Sequence, residues 1–227
     1  MKRLFFLLAP IFLFGSNLDY AILKEVCKSE PIKSAEDKAL VCPCNKVKVD
    51  VSVNEDYDSL GIGGFIKGGF SSLDKKELIV QTIGCEPHFD IDDNENLVPI
   101  NYQGYIFATN SNGKWKVVYY KPIDLGLSDS KKVKLSNKEA ILAKQNYDNA
   151  GEFFLTRLML HTFNKDGKVS SKIIYRGSVG DKKIDDRIKK WEFKDLNNDG
   201  KKDIKIYTNN GKVVIFYRQK DSFVKAK

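Results

Sequence analysis

Trp191-Glu192-Phe193-Lys194-Asp195-Leu196-Asn197-Asn198-Asp199-Gly200-Lys201-Lys202-Asp203-Ile204-Lys205-Ile206-Tyr207 decides how this chain is read. Its two ends carry aromatic and β-branched residues and read as strands, and the largely polar middle reads as the connection between them. The middle follows the pattern D-x-N-x-D-G-x-x-D. Alternate side chains from the first position can aim oxygens at one centre, and a glycine at the sixth permits the sharp bend. The seventh position offers a main-chain carbonyl and the ninth a further carboxylate. The expected ligands are therefore Asp195, Asn197, Asp199, the carbonyl of Lys201, and Asp203. Hard oxygen donors in a flexible loop suit calcium better than magnesium. The loop is not a standard EF-hand, because its twelfth position is Ile206 where that motif needs a bidentate Glu.

Strand signals continue outward. Lys46–Val53, Leu78–Ile83, Tyr105–Thr109, Trp115–Tyr120, Lys172–Tyr175, Ile204–Tyr207 and Val213–Tyr217 are alternating or rich in β-branched and aromatic residues. Asn112-Gly113, Asp166-Gly167 and Asn210-Gly211 supply tight-turn chemistry, with positive φ expected at both central positions. A polar turn leading through Lys and an acid into an apolar strand occurs at Asp74–Val80, Asn137–Leu142 and Gly200–Ile206. The acids at 77, 139 and 203 fall 62 and 64 residues apart. That period fits antiparallel four-stranded units of about 60 residues. The expected fold is mainly β, propeller-like or open stacked sheets, with a β-sandwich or barrel as the alternative. Three units are few for a closed ring.

Other segments read differently. Glu139–Tyr147, with Ala, Leu, Lys and Gln, favours a short helix. Lys182–Lys190 reads as a helical turn or a charged loop. Glu86–Gln103 reads as a long exposed loop, with Tyr102 and Tyr105 beside it as candidate contacts. The acids of Asp90–Glu95 belong to a solvated loop, since Glu95 replaces the glycine a second ion loop would need.

At the N-terminus, Lys2 and Arg3 precede an apolar run from Leu4 to Phe14, followed by Gly15 and Ser16. This is the anatomy of a secretory signal. Eleven residues rise only about 16 Å as a helix, too short to span a bilayer. The expected organisation is a signal over 1–15, a disulfide-tethered segment over 16–60 and a β-repeat domain over 61–227. Cleavage would leave no stable membrane anchor, and 36 basic against 30 acidic residues. Export to the periplasm or beyond matches four cysteines, Cys27, Cys42, Cys44 and Cys85. A bridge between Cys42 and Cys44 would be strained, so Cys27 and Cys85 each pair with one of those two. The rival reading is a zinc or copper site built from Cys42, Cys44, Cys85 and His88.

Phe193–Ile204 resembles the calcium-loop core of FG-GAP/VCBS-type repeats, found in integrin-α-like propellers and many exported bacterial proteins. Phe70–Val80 is similar to the same scheme in degraded form, and Gly68–His88 resembles a segment of uncharacterised secreted bacterial proteins. The resemblance implies a loop that joins strands of a blade, stabilised by calcium on Asp195, Asn197, Asp199 and Asp203. It covers about a dozen residues and implies no activity.

Composition excludes a disordered, collagenous or polytopic membrane chain, because 42% of residues are apolar with only 16 Gly and 6 Pro. The net charge of +8 is spread over Lys-Lys pairs at 75–76, 131–132, 182–183, 189–190 and 201–202, which read as solvated surface. No basic-aromatic module of a nucleic-acid binder is present. With two histidines, no G-x-S-x-G elbow and no H-E-x-x-H helix, an enzyme is the lesser expectation. His161, in an apparent strand, reads as packed. The leading expectation is a non-enzymatic module that binds an envelope component or protein. The alternatives are an envelope-polymer hydrolase and a Cys/His metal-handling protein.

Overall fold

A computed structural model describes residues 13–34, 38–48, 58–91, 97–121, 123–149, 152–179 and 185–226. The charged start and most of the apolar run, residues 49–53 of the first expected strand, the acids at 92, 93 and 95, and Lys182-Lys183 lie outside the described residues.

The protein is mainly β. The first sheet has six strands in the order β1 (Ile32–Lys33), β2 (Leu40–Pro43), β3 (Ser59–Gly68), β4 (Glu77–Ile91), β5 (Leu97–Ser111) and β6 (Lys114–Lys121). The second has four: β7 (Ser130–Lys134), β8 (Glu139–Asn149), β9 (Glu152–Phe163) and β10 (Val169–Ser178). The third has β11 (Ile188–Lys194), β12 (Asp203–Thr208), β13 (Val213–Gln219) and β14 (Ser222–Lys225). Each pairing joins antiparallel strands consecutive in sequence. Local connections of this kind need only short turns.

The side-chain alternation of a strand explains how the sheets stack. On β4 and β5, Leu78, Val80, Ile106 and Ala108 face a core shared with α1 (Leu13–Val26). Ile79, Tyr105 and Phe107 face the opposite way, onto Ile141, Ala143 and Phe163 of the second sheet. Phe163 sits edge-on between Phe70 and Tyr105, with ring centroids 5.6 and 6.0 Å away. The other face of the second sheet, with Ala140, Leu142, Leu158 and Leu160, packs on Ile204, Ile206, Phe216 and Phe223 of the third. Helix and three sheets thus form successive layers, and the central strands β4, β5, β8 and β9 of the two inner sheets carry buried residues on both faces.

This layering corrects the helical reading of Glu139–Tyr147, which is strand β8. Ala140, Ile141, Leu142 and Ala143 are all fully buried. A strand covered on both sides shows no polar-apolar alternation, so propensity was the only signal left, and tertiary pairing overrides it. The helix lies instead at Leu13–Val26, where Leu18, Ile22, Leu23 and Val26 make one apolar stripe. Gly15 falls within this helix, while its described core contacts come from Leu18 onward. No helix among the described residues is long and apolar enough to cross a membrane.

The loop expected over Glu86–Gln103 is also corrected. β4 and β5 extend into it and pair there, with His88 opposite Asn101 and Ile91 opposite Leu97, and 92–96 lie outside the described residues. Tyr105, expected at an exposed contact surface, is fully buried. Its hydroxyl donates to the Gly167 carbonyl (3.1 Å) and accepts from the Val169 amide (3.2 Å), tying the first sheet to the β9–β10 turn.

The three Asn-Gly and Asp-Gly turns do close hairpins. Only Asn112-Gly113 has positive φ at both residues, 52° and 82°. At Gly167 and Gly211 the glycine alone is left-handed, after bonds from its amide to Asn164 and Thr208 carbonyls. These are longer turns ending in a left-handed residue, which need one positive φ.

Candidate functional site

The loop between β11 and β12 spans residues 195–202, and the Lys194–Asp203 pair closes its base. Asn198 (φ 60°) and Gly200 (φ 79°) turn the backbone left-handed, and Asn and Gly tolerate that region best. The side chains fold inward onto the loop's own amides. Asp195 Oδ2 accepts from the Gly200 amide at 2.9 Å. Asn197 Oδ1 accepts from the Asp199 amide at 3.2 Å, and Asp199 Oδ1 from the Lys201 amide at 2.8 Å. Asp195 Oδ1 is buried with no hydrogen-bond partner among the described residues. A buried carboxylate oxygen without a donor is costly unless something positive meets it.

Asp203 is placed differently from the other expected ligands. It is fully buried. Its Oδ2 accepts from the Leu196 amide at 3.0 Å, and its Oδ1 from the Arg218 amide of β13 at 2.8 Å. It braces the loop base against the neighbouring strand. Among the described residues, no three His, Cys, Asp or Glu side chains converge as a metal cluster. Of the five expected ligands, Asp195, Asn197 and Asp199 have side chains that accept from amides of the loop itself.

The acids at 77 and 139 explain Asp203. Each begins the second strand of a four-stranded run, β4 in β3–β6 and β8 in β7–β10, as Asp203 begins β12 in β11–β14. Glu77 is buried and accepts from the Ser71 amide (2.8 Å) and the Ser71 hydroxyl. Glu139 accepts from the Gly69 amide (2.9 Å). All three capture amides of an incoming connection, and two do so without an Asp/Asn loop. The connection before β8 is only four residues, so Glu139 takes its amide from the loop of the neighbouring sheet.

The cysteines form two bridges, Cys27–Cys42 and Cys44–Cys85. They fasten the end of α1 and β2 to each other and to β4. Gly84 immediately precedes Cys85 of the second bridge. Its φ of 100° bends β4, and a Cβ there would lie 2.0 Å from the Ser59 carbonyl oxygen. No cysteine is free, so no thiolate remains for the zinc or copper site expected from Cys42, Cys44, Cys85 and His88.

Several titratable groups among the described residues have structural partners. His161 is buried on β9, and its Nδ1 lies 2.7 Å from Ser171 Oγ on the paired strand. Burial pushes its pKa down to about 4, so the imidazole is neutral at physiological pH. Glu77 and Glu139 border one cleft, but their oxygens are held by Ser71, Gly69 and Lys132. Arg187 beside Asp185 holds that carboxyl well below the usual range, and the pair tethers the segment before β11 to Asn209.

Sequence reading missed one assembly. Lys67, Lys75, Lys76 and Lys132 line this cleft with Leu73 and Trp115. Lys75-Lys76, expected as solvated surface, belongs to it, and no linear pattern links positions 67, 75, 115 and 132.

The class that fold and bridges define is a disulfide-tethered stack of antiparallel sheets. Compared with family models, curated proteins and solved structures, the chain matches none.

Proposed function

We propose that this is an exported, non-enzymatic binding module of the cell envelope, built from FG-GAP/VCBS-like units and braced by calcium at Asp195–Lys201. The observation that carries the calcium reading is Asp195 Oδ1, a buried carboxylate oxygen lacking a donor among the described residues, in a loop of oxygen side chains. A cation there would meet Asp195, Asn197, Asp199 and the Lys201 carbonyl, with water completing the shell, so affinity is modest. Asp203 supports the ligand loop from behind. The acids heading β4, β8 and β12 favour the repeat reading, and two disulfides favour an oxidising compartment, periplasmic or extracellular. The partner is an envelope component or protein and not nucleic acid.

Calcium calorimetry on the full chain tests the brace. The expected result is one site, weakened at least tenfold by Asp195→Asn and Asp199→Asn, with melting raised by calcium over chelator. Absence of binding heat together with identical melting in calcium and chelator removes calcium from the proposal.

A further inference from the structure

We propose that the cleft between the first and second sheets binds an acidic polysaccharide whose sugars carry carboxylates. This rests on the binding-module reading above and gives its ligand a chemical class. The cleft has a volume of about 610 Å³, within the range of small-ligand sites. Lys67 is the penultimate residue of β3, Lys75 and Lys76 lie on the β3–β4 connection, and Lys132 comes from β7 of the next sheet. Trp115 and Leu73 supply apolar surface between them.

The charge balance favours an anion. Two carboxylates reach the cleft, and both are engaged. Glu77 is buried against Ser71. Glu139 is held by the Gly69 amide and by Lys132 at 2.9 Å. Lys67, Lys75 and Lys76 are exposed and make no ion pair to a carboxylate of the described residues within bonding distance. Asp74, held by Ser72 Oγ, offsets part of the Lys75 charge at the rim. Each of the three lysines must otherwise find its counter-charge in solution.

The type of donor narrows the anion. Among the described residues no arginine lines the cleft, and the Gly69 amide is already spent on Glu139. The usual means of gripping a phosphate, a bidentate guanidinium or a nest of free amides, is therefore lacking. Separate ammonium groups are point charges on flexible stems, and they match single charges spaced along a polymer. Trp115 is half-buried and lines the cleft, and an indole is a side chain suited to the C–H face of a pyranose. Its inner side packs on the core beneath α1, which fixes its position.

The test is calorimetry of the full chain with hexagalacturonate, with neutral cellohexaose and with a twelve-nucleotide oligothymidylate, at low and at physiological salt. Binding of the uronate alone, weakened by salt, is expected. Lys75→Gln/Lys76→Gln should weaken it at least tenfold with melting unchanged. Lys165→Gln/Lys168→Gln, which removes the same charge from the exposed β9–β10 turn, should change it less than twofold. No uronate binding, equal binding of cellohexaose, tighter binding of the oligonucleotide, or equal loss in both double variants would overturn the proposal. Calcium calorimetry on the same samples separates the two ideas, because a silent cleft with an intact calcium response defeats the glycan assignment alone.

Discussion

Asp203→Asn separates a structural brace from a metal ligand. Asp203 is fully buried, and each carboxylate oxygen accepts one main-chain amide, Leu196 at 3.0 Å and Arg218 at 2.8 Å. A hydrogen bond to a charged group contributes about 1.5–3 kcal/mol, against about 1 for a neutral one. Asparagine keeps one acceptor, now neutral, and turns an NH2 group toward the other amide. One charge-assisted bond is lost and the second weakened, so the expected cost is about 2–4 kcal/mol. For a chain of this size that corresponds to a fall in Tm of roughly 4–16 °C. The measurement is urea and thermal unfolding in chelator, where no metal contributes. Asp199→Asn is the counterpart, because Asp199 is exposed and, among the described residues, bonds only the Lys201 amide. In chelator it should cost less than about 1 kcal/mol, as surface changes do. With calcium added, Asp199→Asn should lose most of the binding heat, whereas Asp203→Asn, at a temperature where it is folded, should keep most of it. An Asp203→Asn protein as stable as the parent in chelator, yet unable to bind calcium, would refute the brace and return Asp203 to the ligand set.

Two further outcomes follow from burial and covalent topology. The His161 pKa is lowered from 6.5 to about 4 by burial, so the unfolded chain takes up the proton first. Stability is then intact above about pH 6.5 and declines by about 1.4 kcal/mol per pH unit as pH falls toward 4. Replacing His161 with Gln should flatten this limb in urea midpoints measured from pH 7 to 4, and an unaltered slope would contradict the assignment. Reducing the bridges, which close spans of 15 and 41 residues, should cost about 3 and about 4 kcal/mol in the loop-entropy account. Hydrogen exchange should then rise first in α1 and β2, leaving β7–β14 protected. Uniform loss of protection would show that the N-terminal layer is not separable.

Local chemistry was legible where neighbours in sequence decide it. Asn112-Gly113, Asp166-Gly167 and Asn210-Gly211 close hairpins because a left-handed residue and a short turn are properties of a few adjacent residues. The strands at 78–83, 105–109, 115–120, 172–175, 204–207 and 213–217 are present for the same reason. The recurrence of acids at 77, 139 and 203 was visible, but its cause was not. A carboxylate at the head of a second strand looks the same on paper whether it grips a cation or a main-chain amide. Only the position of the Ser71, Gly69, Leu196 and Arg218 amides distinguishes these.

By itself the sequence determined a β-rich chain with its hairpin turns, its Asp/Asn/Gly loop and cysteines spaced for two bridges. Each of these follows from backbone preference or covalent reach over short stretches of chain. Tertiary structure alone decided that β8 is a strand, that Tyr105 is a buried tie, that Cys27 pairs with Cys42 and Cys44 with Cys85, and that four lysines meet around Trp115. All four depend on contacts between residues distant in sequence. Burial on both faces erases the period of two from the sequence, and proximity between residues 67 and 132 exists only after two sheets have stacked.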